Sequence, residues 1–206
     1  MMKNLRLPAS SNSAANSTAN STAIRPLGLG DFAIFVPPAE AAVGTAIATT
    51  TPATAAPVTE FVCYGLGSCV ALVLADPRAG ILAVAHVVLP QPPGGVPVPP
   101  LTRYATSALP FLVERMLARG ARRDRLVAWL VGGAQVLDLR QAEPIGARNV
   151  EVLRQELRRL EIPVVAEAVG GTSGRTLRCY PQRGLLVVSQ AGRGDEVFHD
   201  GSLFDL

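Results

Sequence analysis

Cys69 and His86 are the two side chains whose types and spacing suit joint chemistry. A thiol attacks as the thiolate, and an imidazole is the side chain able to take its proton near neutral pH. Cys69 follows the glycine-rich stretch Gly65-Leu66-Gly67-Ser68 and opens an apolar run, while His86 lies in the middle of a second apolar run. Between the runs, Asp76-Pro77-Arg78-Ala79-Gly80 is a tight-turn signal, so the whole has the form of a β-hairpin. If the loop is Pro77-Arg78, or the four residues Asp76 to Ala79, Cys69 and His86 fall directly opposite each other. Their Cβ atoms would then be about 4.5–5.5 Å apart, and the imidazole could draw the thiol pKa from about 8.5 toward neutrality. A bulge in the turn would shift the register and break the pairing.

The glycine-rich stretch adds a third part. Backbone N–H groups near Gly67 and Ser68 could be left free to hold an oxyanion, which with a thiol and a base completes the set for acyl transfer. The plain alternative is that Cys69 packs as a small hydrophobe and His86 is a satisfied core histidine. The only other histidine, His199, lies in a tail expected to fray, and Cys63 and Cys179 sit in strand-like surroundings that favour a structural role. Gly65-Leu66-Gly67 is not a dinucleotide fingerprint, because no further glycine follows at the required spacing and a strand comes next. The three cysteines show no metal-ligand spacing, so neither metal nor other cofactor is expected.

The elements that must position these groups follow from pattern. Residues 1–26 are rich in Ser, Asn, Ala and Thr and read as a disordered extension. A domain is expected over 27–190, with an Ala/Thr/Pro-rich low-complexity insertion at 37–59 and a flexible tail at 191–206. Strands are expected at 31–36, on both arms of the hairpin, at 126–131, 162–169, 175–180 and 184–190. Thr102 reads as the N-cap of a first helix whose stripe is Ala105, Leu109, Leu112, Val113, Met116 and Leu117, with Pro110 inside it. Val150, Leu153, Leu157 and Leu160 form the stripe of a second helix. About seven strands and two helices make an α/β or α+β domain with mixed sheets, not a doubly wound dinucleotide fold. The chain is 49% hydrophobic with a mean hydropathy of +0.30, yet no apolar run nears the 18 or so residues needed to cross a bilayer. No membrane insertion is therefore expected, and the odd cysteine count and lack of an apolar leader favour a reduced, cytoplasmic setting. A net charge of +3 with interleaved acids and no long basic run gives no case for a nucleic-acid partner.

The stretch GLGSCVALVLADPRAGILAVAHVVLP resembles the signature of the chemoreceptor glutamine deamidases (CheD) of bacterial chemotaxis. The likeness continues through Tyr104-Ala105, Gly132-Gly133-Ala134, Gly146-Ala147-Arg148-Asn149, Gly170-Gly171 and Gly174-Arg175. It implies a three-layer sandwich akin to toxin deamidase domains, Cys69 as nucleophile and His86 as base. It further implies hydrolysis of receptor glutamine amides to glutamate through a thioester, with the cytoplasmic helices of a chemoreceptor as partner. One position departs from the pattern: family members commonly carry a threonine six residues before the nucleophile as a third catalytic group, and here it is Cys63. A thiol is the poorer hydrogen-bonding partner, so either the Cys63 carbonyl orients His86 or activity is reduced. The rival is a regulatory module that binds a CheC-like chemotaxis phosphatase. A low-pKa Cys69 would favour the enzyme, and an ordinary thiol with retained partner binding the module. Another cysteine amidohydrolase on the same scaffold is a third possibility.

Overall fold

The computed structural model describes residues 23–38, 58–136, 144–190 and 192–200. The disordered extension and the low-complexity insertion expected from the sequence lie almost wholly outside these residues.

The two apolar runs do form a hairpin, β4 (Val70–Asp76) and β5 (Ile81–Val87), every residue of which is buried. Continuous burial fits runs without polar alternation, and it places this hairpin in the middle of the molecule. The hairpin belongs to a five-stranded sheet ordered β2-β5-β4-β6-β7, with β2 Phe32–Phe35, β6 Val127–Gly132 and β7 Val164–Val169. A second five-stranded sheet is ordered β1-β3-β8-β9-β10, from β1 (Ala23–Pro26), β3 (Val58–Leu66), β8 (Arg175–Tyr180), β9 (Leu185–Gln190) and β10 (Gly194–Asp200). Both sheets are mixed: β1/β3 and β6/β7 are parallel and the other pairs antiparallel.

Side chains alternate across the pleat, so each strand of the first sheet serves two cores. Val70, Leu72, Leu74, Ala83 and Ala85 face α1 (Ala105–Leu117) and α2 (Ile145–Arg159), meeting Leu109, Leu112, Met116, Leu153 and Leu157. Ala71, Val73, Ala75, Leu82, Val84 and Trp129 face the second sheet, meeting Cys63, Leu66, Leu177, Cys179 and Leu186. The architecture is helices on sheet on sheet, the expected three-layer sandwich.

All seven expected strands are present, and three more join them. β3 runs into the glycine-rich stretch, β1 lies inside the stretch expected to be disordered, and β10 lies in the tail expected to fray. Edge pairing orders the last two: β10 pairs antiparallel with β9 and β1 parallel with β3. His199 of β10 packs edge-on against Trp129, ring centroids 5.1 Å apart. Thr102 does not cap α1, which starts at Ala105 with no side-chain cap. Its hydroxyl instead donates to the carbonyl of Gly30. Pro110 sits on the exposed side of one uninterrupted helix.

Candidate functional site

Cys69 lies on the crossing from one sheet to the other. β3 ends at Leu66 in the second sheet, β4 begins at Val70 in the first, and Gly67-Ser68-Cys69 make the passage. Such a passage has no ladder of its own, so neighbours must hold it. The Gly133 N–H donates to the Cys69 carbonyl at 2.8 Å, and the Ala134 N–H to the Gly67 carbonyl at 2.7 Å. The fully buried Asn149 of α2 donates from Nδ2 to Ser68 O and to Val88 O, each at 2.9 Å. Close approach explains the glycines: a Cβ on Gly132, where φ is +118°, would collide with the Cys69 carbonyl, and one on Gly133 would lie 2.5 Å from Val150 Cγ2. Sequence order read Gly132-Gly133 as the end of a strand; in space they brace the candidate nucleophile.

The turn differs from either of the two loops considered above. Asp76 is paired with Ile81, so the loop is Pro77 to Gly80, opened by the Asp76 carboxylate on Ala79 N–H and closed by Gly80 at φ 65°. His86 is therefore opposite Ala71, and Cys69 lies one pleat further on. The two residues remain on the same side of the sheet: Ala71, Val73, Leu82 and Val84 all face the second sheet, and Cys69 packs against that core. They are diagonal neighbours, a relationship that separates positions by about 7–8 Å.

His86 is the best-held group in the region. It is 3% exposed, and its Nδ1 lies 3.0 Å from the carbonyl oxygen of Leu27. A carbonyl only accepts, so Nδ1 carries the hydrogen, and in the neutral ring Nε2 keeps the lone pair. Nε2 is buried and has no hydrogen-bond partner among the described residues, neither sulfur included. The expectation was that the Cys63 carbonyl orients His86 or that activity is reduced; the carbonyl at the ring is instead Leu27 O, on a residue whose N–H is bonded to Val62 O at 2.8 Å.

Burial raises all three thiols. Partial burial pushes Cys69 up from the ordinary thiol value, opposed by the Arg103 guanidinium and its own backbone N–H. The expected pull toward neutrality is thus corrected, since burial outweighs both and the imidazole is not directly opposite. Cys63 is 1% exposed in the inter-sheet core and is pushed up to about 12, mainly by burial, then by the neighbouring Cys69 and Asp31. Cys179, fully buried, is raised for the same first reason.

Of the proposed oxyanion donors, Gly67 N–H is already given to Gly65 O at 2.8 Å. Ser68 and Cys69 are the adjacent amides whose N–H groups donate to no carbonyl among the described residues. Asn149 is the residue that the residue-by-residue reading left without a role, although a polar side chain beside the α2 stripe was a visible signal. Beyond Gly65 a groove of about 440 Å³ is lined by Gly174, Arg175, Thr176, Ser189, Gln190 and Asp195, and neither Cys69 nor His86 lines it. Among the described residues no group of His, Cys, Asp and Glu is placed to hold a metal, and no helix is long and apolar enough to cross a membrane.

The family model for CheD chemotactic sensory transduction matches residues 88–190, from the exit of β5 through β9. The chain is 46% identical over 139 residues to the probable chemoreceptor glutamine deamidase CheD of Symbiobacterium thermophilum, an alignment covering 65% of this chain and 84% of that one. It is 38% identical over 136 residues to the chemoreceptor glutamine deamidase CheD of Thermotoga maritima, covering 66% and 85%. The corresponding protein of Halalkalibacterium halodurans is 38% identical over 136 residues, covering 64% and 84%. With half of its length matched by the family model and most of each relative spanned, this chain belongs to the CheD family.

Proposed function

We propose that this protein is a chemoreceptor glutamine deamidase that uses Cys69 as nucleophile and His86 as base. The observation that carries the assignment is the His86 ring: Leu27 O takes the Nδ1 hydrogen and leaves a buried, unpartnered Nε2 on the side of the sheet that Cys69 shares. Burial raises the Cys69 thiol, against the low pKa that would mark the enzyme, so in this reading the proton leaves during attack rather than before it. Nε2 takes the Sγ proton as sulfur bonds to the amide carbon of a glutamine side chain, and the carbonyl oxygen becomes an oxyanion held by the Ser68 and Cys69 N–H groups. The imidazolium then gives that proton to the departing nitrogen, ammonia leaves, and a thioester remains. Water, its proton taken by Nε2, splits the thioester, restoring the thiol and leaving glutamate. Sulfur and Nε2 share no hydrogen bond at rest, so in this reading substrate entry draws them into one, as catalytic contacts often tighten on binding.

The partner in this reading is the helical cytoplasmic region of a receptor, which places the enzyme in the cytoplasm. A CheC-like phosphatase would be a second partner competing for the same mouth. Cys63 would be a packing residue at the position of the family threonine, with Leu27 O doing the orienting. The test is to incubate a receptor cytoplasmic fragment with the wild-type protein and with Cys69→Ala and measure released ammonia. Release by the wild type alone is expected; equal release from both overturns the assignment.

A further inference from the structure

One five-residue segment holds His86 at three atoms. The Leu27 carbonyl takes the ring Nδ1 hydrogen at 3.0 Å, the Gly30 N–H donates to His86 O at 2.9 Å, and the His86 N–H donates to Asp31 O at 2.9 Å. The segment is a turn closed twice by one residue. Asp31 N–H donates to Gly28 O at 3.0 Å, and the Asp31 carboxylate accepts from Gly28 N–H at 2.9 Å through Oδ2. Gly30 stands at φ +81°, a conformation that suits glycine, and its carbonyl is buttressed by the Thr102 hydroxyl.

We propose that Asp31 is a positioning residue for His86, acting through the 28–31 turn to keep the Leu27 carbonyl at Nδ1 and so fix the tautomer that leaves Nε2 as a base. The argument is steric and local. Gly28 follows Leu27 directly, so the peptide group bearing Leu27 O is the same one whose N–H the Asp31 carboxylate holds. Asp31 thereby grips one end of a rigid amide plane while His86 grips the other. Without the carboxylate the plane is free to rotate at the Gly28 side, and the carbonyl no longer dictates which ring nitrogen carries the hydrogen. What matters is the acceptor oxygen and not the negative charge, so asparagine should serve nearly as well. The group lies at the edge of the site and touches no reacting atom.

The proposal rests on the deamidase reading for its kinetic consequence but not for its spectroscopic one. ¹⁵N shifts of the His86 ring, separable because the chain holds only two histidines, report the tautomer directly. The wild-type protein should show a protonated Nδ1 and an unprotonated Nε2. Asp31→Ala should show shifts averaged between tautomers, with kcat for ammonia release from a receptor fragment down about 10- to 100-fold and KM within about twofold, as expected for displacement of a supporting group. Asp31→Asn should restore both. Thr102→Val, which removes the buttress on Gly30 from the other side, should move both readouts the same way by less and serves if Asp31→Ala does not fold. An unchanged tautomer and kcat in Asp31→Ala, or equal losses in the alanine and asparagine variants, overturn the proposal. If the wild-type protein releases no more ammonia than Cys69→Ala, it is the deamidase reading that falls, and the ring shifts still decide the role of Asp31.

Discussion

The Nδ2 of Asn149 lies 2.9 Å from the carbonyl oxygen of Ser68, so the second helix holds the residue directly before the candidate nucleophile. The same nitrogen reaches Val88 O, just beyond the histidine strand, also at 2.9 Å. One amide therefore fixes the distance between the two halves of the site. Its orientation is set by chemistry, because the flipped group would point an oxygen at two carbonyls. Asn149→Ala should leave two carbonyls in partly buried hydrogen bonds without their donor and cost about 1–3 kcal/mol in urea unfolding. It should also lower kcat more than a surface substitution of equal stability cost. Asn149→Asp, with no hydrogen to donate, should be worse on both measures.

The raised Cys69 thiol makes a pH prediction with a definite sign. Less of it is thiolate at pH 7 than of a free cysteine, so its alkylation by iodoacetamide should be slower than the free amino acid's and should climb through a midpoint above the ordinary value. Arg103→Ala removes the cation that opposes burial, and should move that midpoint higher still. Mass spectrometry of the singly modified protein checks both, since Cys63 and Cys179 are buried and should stay unmodified under native conditions. A Cys69 alkylated faster than free cysteine at pH 7 would contradict this.

Cys63 invites a direct replacement by the family's threonine. Because Leu27 O already orients His86, Cys63→Thr and Cys63→Ala should each leave ammonia release within about fivefold of wild type, an effect of about 1 kcal/mol on the barrier. The signature of Cys63 should appear instead in alkaline stability. Its folded pKa, about 12, lies above that of an unfolded thiol, so the folded state is favoured while the thiol is protonated. That advantage is full below the unfolded value near 8.5 and is lost as pH rises toward 12. Urea midpoints measured from pH 8 upward should fall less steeply in Cys63→Ala than in wild type.

Asp76 should prove structural. Its side chain is fully buried and accepts from Ala79 N–H, from Arg122 N–H at 2.8 Å and from the Arg125 guanidinium at 2.7 Å, joining the hairpin turn to the chain that enters β6. Asp76→Ala strands a partly buried guanidinium and two backbone donors, and should cost about 3–5 kcal/mol in chemical denaturation. Ammonia release at a temperature where the variant is folded should be close to normal, because the turn lies at the end of the hairpin away from Cys69.

What could be read from the chain alone divides by physical cause. The hairpin, α1, α2 and the strands at 126–131 and 175–190 were legible because apolar periodicity is a local property. β3 escaped because it emerges from an Ala/Thr/Pro-rich stretch and carries Glu60, whose burial depends on an ion pair with Arg178 of β8. β1 and β10 are edge strands whose order comes from their partners. The register at His86 turned on whether Asp76 or Gly80 belonged to the loop, and the left-handed Gly80 decided it. Cys69 and His86 could be named because a thiol and an imidazole announce their chemistry. Leu27 could not, because its contribution is a carbonyl that every residue carries.

That anonymity has a consequence for how the site tolerates change. A triad whose third member is a side chain can lose it in one base substitution. Here the atom at Nδ1 is peptide oxygen, so residue 27 can vary in identity without removing it, and under the proposed mechanism a change at residue 63 is shielded from the chemistry. The vulnerability moves from composition to conformation: the chain trades a position that must be conserved for a peptide plane that must be aimed.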